Sequence, residues 1–289
     1  MRGSGSKYIL AVSGGVDSVV MLDKVARGEL LTEAIFPDDF IVAHFDHGIR
    51  GEESHKDAEF VRDLAAEYGV EFVLGEGNLA KSCNEELARE KRYEFLSNIV
   101  PPAKIVTAHH QDDLLETVVI NLIRGTGWRG LAPMSGNVLR PLLNMTKSEI
   151  VSYAIEHDLN WIEDATNFSP NYFRNRVRDF LVKITPRQKT QLLELCQKQR
   201  VLRAEIEAEI KKKTPQNPEL SRYFFTMLLE NVAIEILREV TEHDLTTPQL
   251  DQLLLFIKTA RQNKMTQVGN YEFFAKKREI VVTKKNFMC

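Results

Sequence analysis

The feature that most restricts how this chain can fold lies near its amino end. An apolar run, Lys7 to Val12, breaks into Ser13-Gly14-Gly15-Val16-Asp17-Ser18 and passes into apolar residues at helical spacing, Val20, Leu22, Val25 and Ala26. Strand, tight loop and helix in that order build the edge where parallel sheets take ligands, at the carboxyl ends of their strands. Two adjacent glycines let backbone N–H groups approach an anion with no Cβ in the way, and the following helix aims its unsatisfied donors and positive end at the same point. Ser13 and Ser18 add hydroxyls. Asp17 would repel a bare phosphate, so its expected task is to hold Mg2+. The spacing matches neither Gly-x-x-x-x-Gly-Lys-Ser/Thr nor Gly-x-Gly-x-x-Gly, which disfavours a P-loop kinase and a dinucleotide dehydrogenase. A glycine-rich turn that merely connects strand to helix is the bland alternative.

The alternation continues. Phe40 to His44, Val70 to Leu74 and Lys104 to Ala108 are β-rich, and Ser54 to Tyr68, Glu85 to Ile99 and Asp112 to Ile123 carry helical patterns between and after them. This order predicts an α/β fold, a Rossmann-like and mostly parallel sheet covered by helices. Val138 to Leu143 reads as a strand interrupted by Pro141, and Thr146 to His157 as a helix opened by a Thr146/Glu149 capping box. Residues 160–178 are expected to be irregular or a short helix. Gln188 to Lys212 reads as a long charged helix, Arg222 to Val240 as one apolar helix, Pro248 to Thr259 as another, and Tyr271 to Phe274 with Glu279 to Thr283 as a small hairpin. The expected organisation is a catalytic domain at 1–180, a helical linker region at 181–215, and a smaller, mainly helical domain with a short hairpin at 216–289.

Charge is unevenly spread. Residues 1–180 carry 19 basic against 28 acidic side chains, and residues 181–289 carry 19 against 13, an asymmetry that suits a polyanion partner reached through the C-terminal part. Three cysteines, Cys83, Cys196 and Cys289, are an odd number without paired spacing, which argues against a disulfide framework or a structural zinc site and fits a reducing cytoplasm. No run approaches the length of a membrane span, and with a polar Met1 to Ser6 segment leading straight into a strand, neither a membrane span nor a signal peptide is expected.

Ser13 to Ser18 resembles the PP-loop signature of the N-type ATP pyrophosphatases, which cleave ATP between the α and β phosphates. Within that family, further blocks are similar to those of the tRNA(Ile)-lysidine synthetases. They are His44-Phe45-Asp46-His47-Gly48-Ile49-Arg50 with Ser54 and Asp57, and Ala108-His109-His110-Gln111-Asp112-Asp113 with Glu116-Thr117. Also similar are Arg124-Gly125-Thr126-Gly127, Arg140-Pro141-Leu142-Leu143, and Trp161-Ile162-Glu163-Asp164 leading to Arg174-Asn175-Arg176 and Arg178. The resemblance spans nearly all of residues 7–178 and is thinner beyond. It implies a PP-loop ATPase domain that uses ATP and Mg2+ to adenylate the wobble cytidine of an isoleucine tRNA with a CAU anticodon. Free L-lysine would then displace AMP to give lysidine. Self-association is left open.

On that resemblance, Asp17, Asp46, His110, Asp113 and Arg89 are the expected catalytic residues. Ser13, Gly14, Gly15, Val16, Asp17 and Ser18 would bind ATP, with Asp17 and Asp113 on Mg2+. His47, Arg50, Arg92, Asp112, Glu116, Arg124, Arg140, Arg174, Arg176 and Arg178 are expected to meet tRNA or lysine. Asp46 stands where the family commonly has asparagine, which keeps an acceptor and loses a donor. Asp112 and Glu116, four apart on a helix, are expected to share an anionic face with His109, His110 and Asp113. Trp128 and Trp161 are more often core than base-stacking residues, and Lys211 to Lys213 are as readily a solvated helix end as an RNA contact. Two other readings stand beside this one: a PP-loop tRNA cytidine thiolase, which the wide spacing of the cysteines weakens, and a noncatalytic RNA-binding protein, which the presence of Asp17, Asp112 and Asp113 weakens.

Overall fold

The structure is a computed structural model and describes residues 8–30, 40–48, 52–77, 85–101, 103–134, 136, 138–163, 173–215 and 219–285. It divides into two compact units, Met1–Arg200 and Val201–Cys289. In the first, β1 (Tyr8–Ala11), β2 (Phe40–Asp46), β3 (Glu71–Glu76) and β4 (Lys104–Thr107) form a four-stranded sheet in the order β3-β2-β1-β4. All three pairings are parallel, with Leu10 opposite Val42 and Val106.

Alternate strand residues serve opposite faces. Tyr8, Leu10, Phe40, Val42 and Val106 pack with Val19, Val20, Leu22 and Val25 of α1 (Val16–Ala26), Val61 and Leu64 of α2 (Glu52–Glu67) and Ile150 and Ala154 of α5 (Lys147–Glu156). Ile9 and Ala43 turn the other way, onto Leu96 and Phe95 of α3 (Glu85–Ile99). A sheet covered on both faces has near-continuous apolar strands, as Tyr8–Ala11 and Phe40–Ala43 do. On the α1 side, Asp23 is wholly buried and accepts hydrogen bonds from Tyr68 Oη (2.6 Å), Tyr153 Oη (2.7 Å) and Arg27 Nε (2.9 Å), so one carboxylate ties α1 to the end of α2 and to α5.

One expectation changes in this unit. The strand expected over Val138–Leu143 shrinks to one parallel bridge, Leu139 opposite Val106, because Pro141 has no N–H for a ladder and the chain turns at Arg140–Leu143. Of residues 160–178, positions 164–172 lie outside the described residues, and the end becomes helix α6 (Phe173–Lys183). The unit boundary falls inside α7 (Pro186–Lys213). Val177 and Leu181 of α6 pack on Leu115 and Val119 of α4 (Gln111–Ile123), and Leu192 and Cys196 of α7 pack against Leu114 and Val118. Residues 181–196 therefore carry part of the first unit's core.

The second unit holds more strand than the expected hairpin. β5 (Glu219–Ser221), β6 (Met265–Val268), β7 (Tyr271–Ala275) and β8 (Glu279–Lys284) form an antiparallel sheet in the order β5-β8-β7-β6, with β7 and β8 at the expected hairpin. The single helix expected over Arg222–Val240 is two, α8 (Arg222–Met227) and α9 (Glu230–Val240), separated by extended backbone at Leu228 and Leu229 that neither proline nor glycine marks. With α10 (Thr247–Thr259) they enclose a core built on Phe225, Ile236, Leu253 and Phe273. Among the described residues no helix is long and apolar enough to cross a membrane.

Candidate active site

The Ser13–Ser18 loop leaves β1 and enters α1 as the strand-loop-helix pattern requires. Gly14 stands at φ +90, in the left-handed region, and a Cβ there would lie 2.7 Å from Ile162 Cδ1. Ile162 N donates to Gly14 O at 2.9 Å, which fastens the loop to the segment after α5. Ser18 is buried, and its hydroxyl accepts from Ser13 N and Gly14 N, each at 3.1 Å, while donating to Gly15 O at 2.8 Å. That hydroxyl shapes the loop from within. Asp17, in the first turn of α1, projects forward and is partly exposed.

Three helix N-termini meet at this point, those of α1, α4 and α5. The His110 ring, nearly buried before α4, has Nε2 3.8 Å from Asp17 Oδ1 and 3.5 Å from Asp113 Oδ2, and Nδ1 3.7 Å from Asp112 Oδ2. Asp113 also accepts from His110 N at 3.1 Å, and Asp112 accepts from Lys147 N at 2.8 Å. Lys147 Nζ reaches both oxygens of Asp17, at 2.6 and 2.8 Å. Carboxylates in a first helical turn are favoured by the positive helix end, so the anionic corner is compatible with local stability. Gln111 N donates to Met145 O, and this bond brings the start of α5 beside that of α4.

His109 points elsewhere. Its Nδ1 lies 2.7 Å from Thr107 Oγ1, and burial pushes the imidazole down to about 4; Asp113 opposes that shift and Arg140, Arg89 and Arg92 reinforce it. The ring is therefore neutral near pH 7. Arg89 and Arg92 of α3 both lie over the Tyr93 ring, at 5.1 and 5.6 Å. Arg140 Nη1 donates to Met134 O (2.7 Å) and Val138 O (3.0 Å), holding together the chain after a 3-10 turn at Trp128–Leu131. Asp46, at the end of β2, accepts from Gly48 N at 2.7 Å, a contact that needs only an acceptor and that aspartate makes as well as asparagine. Burial and Arg92 lower the proton affinity of the adjacent His47.

Glu116 does not join the corner. It is buried with both oxygens engaged, Oε2 by Arg174 Nε at 2.9 Å and Oε1 by Arg178 Nε at 2.6 Å, so the pair four apart on α4 divides, Asp112 toward α5 and Glu116 toward α6. Arg178 still lies close enough to Asp113 and Asp17 for both to raise its proton affinity, after Glu116, against the opposing effect of burial. Arg124 caps the far end of α4 and is exposed, as is Arg176 on α6. Arg50 lies outside the described residues. Lys147 and Asp23 were absent from the sequence-derived set. The only signal at Lys147 was its place after the capping Thr146.

Among the described residues no three His, Cys, Asp or Glu side chains converge as a self-sufficient metal cage. Mg2+ needs none when phosphate oxygens complete its shell, since one or two carboxylates then suffice. Asp17 beside the loop and Asp113 across the His110 ring fit that pattern.

A family model described as a PP-loop domain matches residues 3–185. A tRNA(Ile)-lysidine synthase of Thermosipho africanus is 38% identical over 190 residues, covering 62% of this chain and 43% of that protein. One of Chlorobaculum tepidum is 37% identical over 193 residues, covering 63% and 57%. The chain spans about half the length of the curated relatives it matches. A solved U34-tRNA thiolase of Methanococcus maripaludis, with its 4Fe-4S cluster, is similar at 20% identity with a TM-score of 0.54, over 68% of this chain and 72% of that one. At that identity the likeness concerns the fold alone.

Proposed function

The chain belongs to the PP-loop domain family, and on that premise we propose that it is an ATP-dependent ligase joining free L-lysine to C2 of the wobble cytidine of an isoleucine tRNA with a CAU anticodon. The observation that carries this reading is the meeting of Asp17, His110, Asp112 and Asp113 beside the two-glycine loop. The similarity of the same half of the chain to tRNA(Ile)-lysidine synthases supports the substrates.

ATP with Mg2+ supplies the adenylyl group that makes the cytosine O2 a leaving group, with release of pyrophosphate. The chain's own residues do the rest. Backbone N–H groups at the end of the loop and the α1 N-terminus receive pyrophosphate oxygens, Gly15 keeps a side chain out of their path, and Gly14 supplies the left-handed turn that fits under Ile162. Asp17 and Asp113 would hold the metal, and the His110 ring lies against both carboxylates. Asp112 and Asp113 present negative charge to the lysine ammonium. His109, kept neutral by burial, leaves that attraction undiminished. Arg89 and Arg92 face the target nucleotide with His47 and Asp46, and Arg124, Arg140 and Arg176 give donors for tRNA; Arg50 joins them on the family resemblance alone. Arg174 and Arg178 pin α6 to α4 through Glu116, and Arg178 also lies within electrostatic reach of Asp113 and Asp17. Lys and Arg side chains of residues 181–289, 19 against 13 acidic, contribute phosphate contacts, which position RNA without reading its sequence. The cytoplasm is the expected compartment.

A thiolase reading is disfavoured by Cys196, which is buried against Leu114 and Val118 with its thiol pushed up by that burial. The test is to incubate the full chain with ATP, Mg2+, labelled lysine and an isoleucine tRNA bearing a CAU anticodon. Label joined to tRNA, with AMP and pyrophosphate as products, is expected. ADP as the main nucleotide product, or sulfur transfer in place of lysine, overturns the proposal.

A further inference from the structure

Lys147 is placed where a cation is least expected. It is the first residue of α5, at the positive end of that helix, where acidic side chains are favoured and basic ones are not. Its backbone N–H is held by Asp112 at 2.8 Å, and the Thr146/Glu149 capping box on its other side fixes the turn. The side chain then spans from α5 to α1, and its ammonium takes both oxygens of Asp17, at 2.6 and 2.8 Å. Those are the oxygens that the reading above assigns to Mg2+. A third carboxylate, Asp113, stands across the His110 ring, so the charge that Lys147 balances belongs to the whole corner.

We infer that Lys147 is a built-in counter-ion for Asp17 that the metal-nucleotide displaces, after which its ammonium turns to the phosphates as a positioning residue for the leaving pyrophosphate. The inference rests on the assignment of Asp17 to Mg2+. Three features support it. The ammonium is a compact charge on a flexible stem, suited to exchange a carboxylate for a phosphate oxygen without moving the backbone. The backbone anchor on Asp112 keeps the side chain within reach in both states. And the Lys147 side chain is 45% exposed, so the Asp17 contact can break without opening the core. Such a residue keeps carboxylates from repelling one another while the site awaits its ligand. It also makes metal binding depend on nucleotide, because Mg2+ must bring an anion for Lys147 to follow.

The experiment uses the full chain and Mn2+ as the metal probe, with free Mn2+ followed by electron paramagnetic resonance and no nucleotide present. Lys147→Met retains the apolar stem and removes the charge. It is expected to tighten Mn2+ binding at least tenfold, and Asp17→Asn in the same chain is expected to abolish the gain. In a parallel titration with Mg2+ and an α,β-methylene analogue of ATP, Lys147→Met is expected to weaken nucleotide binding at least tenfold, and Lys147→Arg to restore most of it. Unchanged Mn2+ affinity in Lys147→Met, or unchanged nucleotide affinity, overturns the inference. Both shifts in a chain that joins no lysine to tRNA would support it and overturn only the substrate assignment.

Discussion

Arg178 Nε stands 2.6 Å from Glu116 Oε1, and Arg174 Nε stands 2.9 Å from the other oxygen of the same carboxylate. The Glu116 side chain is only 5% exposed while the two arginines are 33% and 42% exposed. One buried anion thus holds two points of α6, four residues apart, against α4.

Glu116→Ala should therefore destabilise the first unit by roughly 2–3 kcal/mol, below the full cost of breaking a buried ion pair because both guanidiniums retain water. Glu116→Gln should recover part of that. Urea unfolding of the full chain checks the order, and equal stability of Glu116→Ala and the parent would refute it.

Gly14→Ala tests the loop. A Cβ at φ +90 costs on the order of 1–3 kcal/mol in backbone strain, and here it also meets Ile162 Cδ1 at 2.7 Å. ATP affinity should fall sharply. Pairing it with Ile162→Ala should relieve the clash and leave the backbone strain, so nucleotide titration of the double variant should show partial recovery.

Asp17→Ala should slow adenylation at least 100-fold, a loss of roughly 2.7 kcal/mol in transition-state stabilisation, with little change in tRNA affinity. AMP transfer and tRNA binding are measured separately. Near-normal adenylation at saturating Mg2+ would remove Asp17 from the metal.

The Asp23 network gives a pH signature. Burial alone would push this carboxyl up, but hydrogen bonds from Tyr68, Tyr153 and Arg27 outweigh it and hold the group below its ordinary 3.8. A carboxylate depressed in the folded state contributes stability that is present above the unfolded value and lost as pH falls through the folded one. Tyr68 and Tyr153 are raised above 10.0, by burial first and then by the bond to Asp23, so their contribution is present below 10.0 and lost as pH rises beyond it. Urea midpoints across pH should thus fall at both extremes. Asp23→Asn should flatten both limbs, and a parallel curve of unchanged slope would count against the network.

Truncation separates the units. A chain ending at Arg200 keeps Leu181, Leu192 and Cys196 over α4, whereas one ending at 180 loses them. Each buried apolar side chain contributes about 1.5–3 kcal/mol, so the shorter fragment should melt well below the longer. If the longer fragment is folded by circular dichroism, its tRNA affinity should depend less steeply on salt than that of the full chain, since basic residues of the second unit are gone.

The sheet, its order of strands and helices, and the loop before α1 were legible in the sequence because they rest on local properties. Apolar runs such as Tyr8–Ala11, the spacing on α1, two glycines and a Thr146/Glu149 box each act within a few residues. The pairing of distant polar groups was not legible. Asp112 and Glu116 share a spacing that suggests one role, yet Asp112 meets Lys147 from 35 residues away and Glu116 meets arginines 58 and 62 residues away. Likewise Ser18, which reads as a ligand donor, is turned inward by the loop's own N–H groups. Lys147 and Asp17, 130 residues apart, have no mutual signal in a single sequence. The sequence determines which chemistry is present and where the chain can turn. Which charge faces which is decided only when the helix N-termini converge, because side-chain electrostatics act through space and fall off over a few ångströms, whatever the separation along the chain.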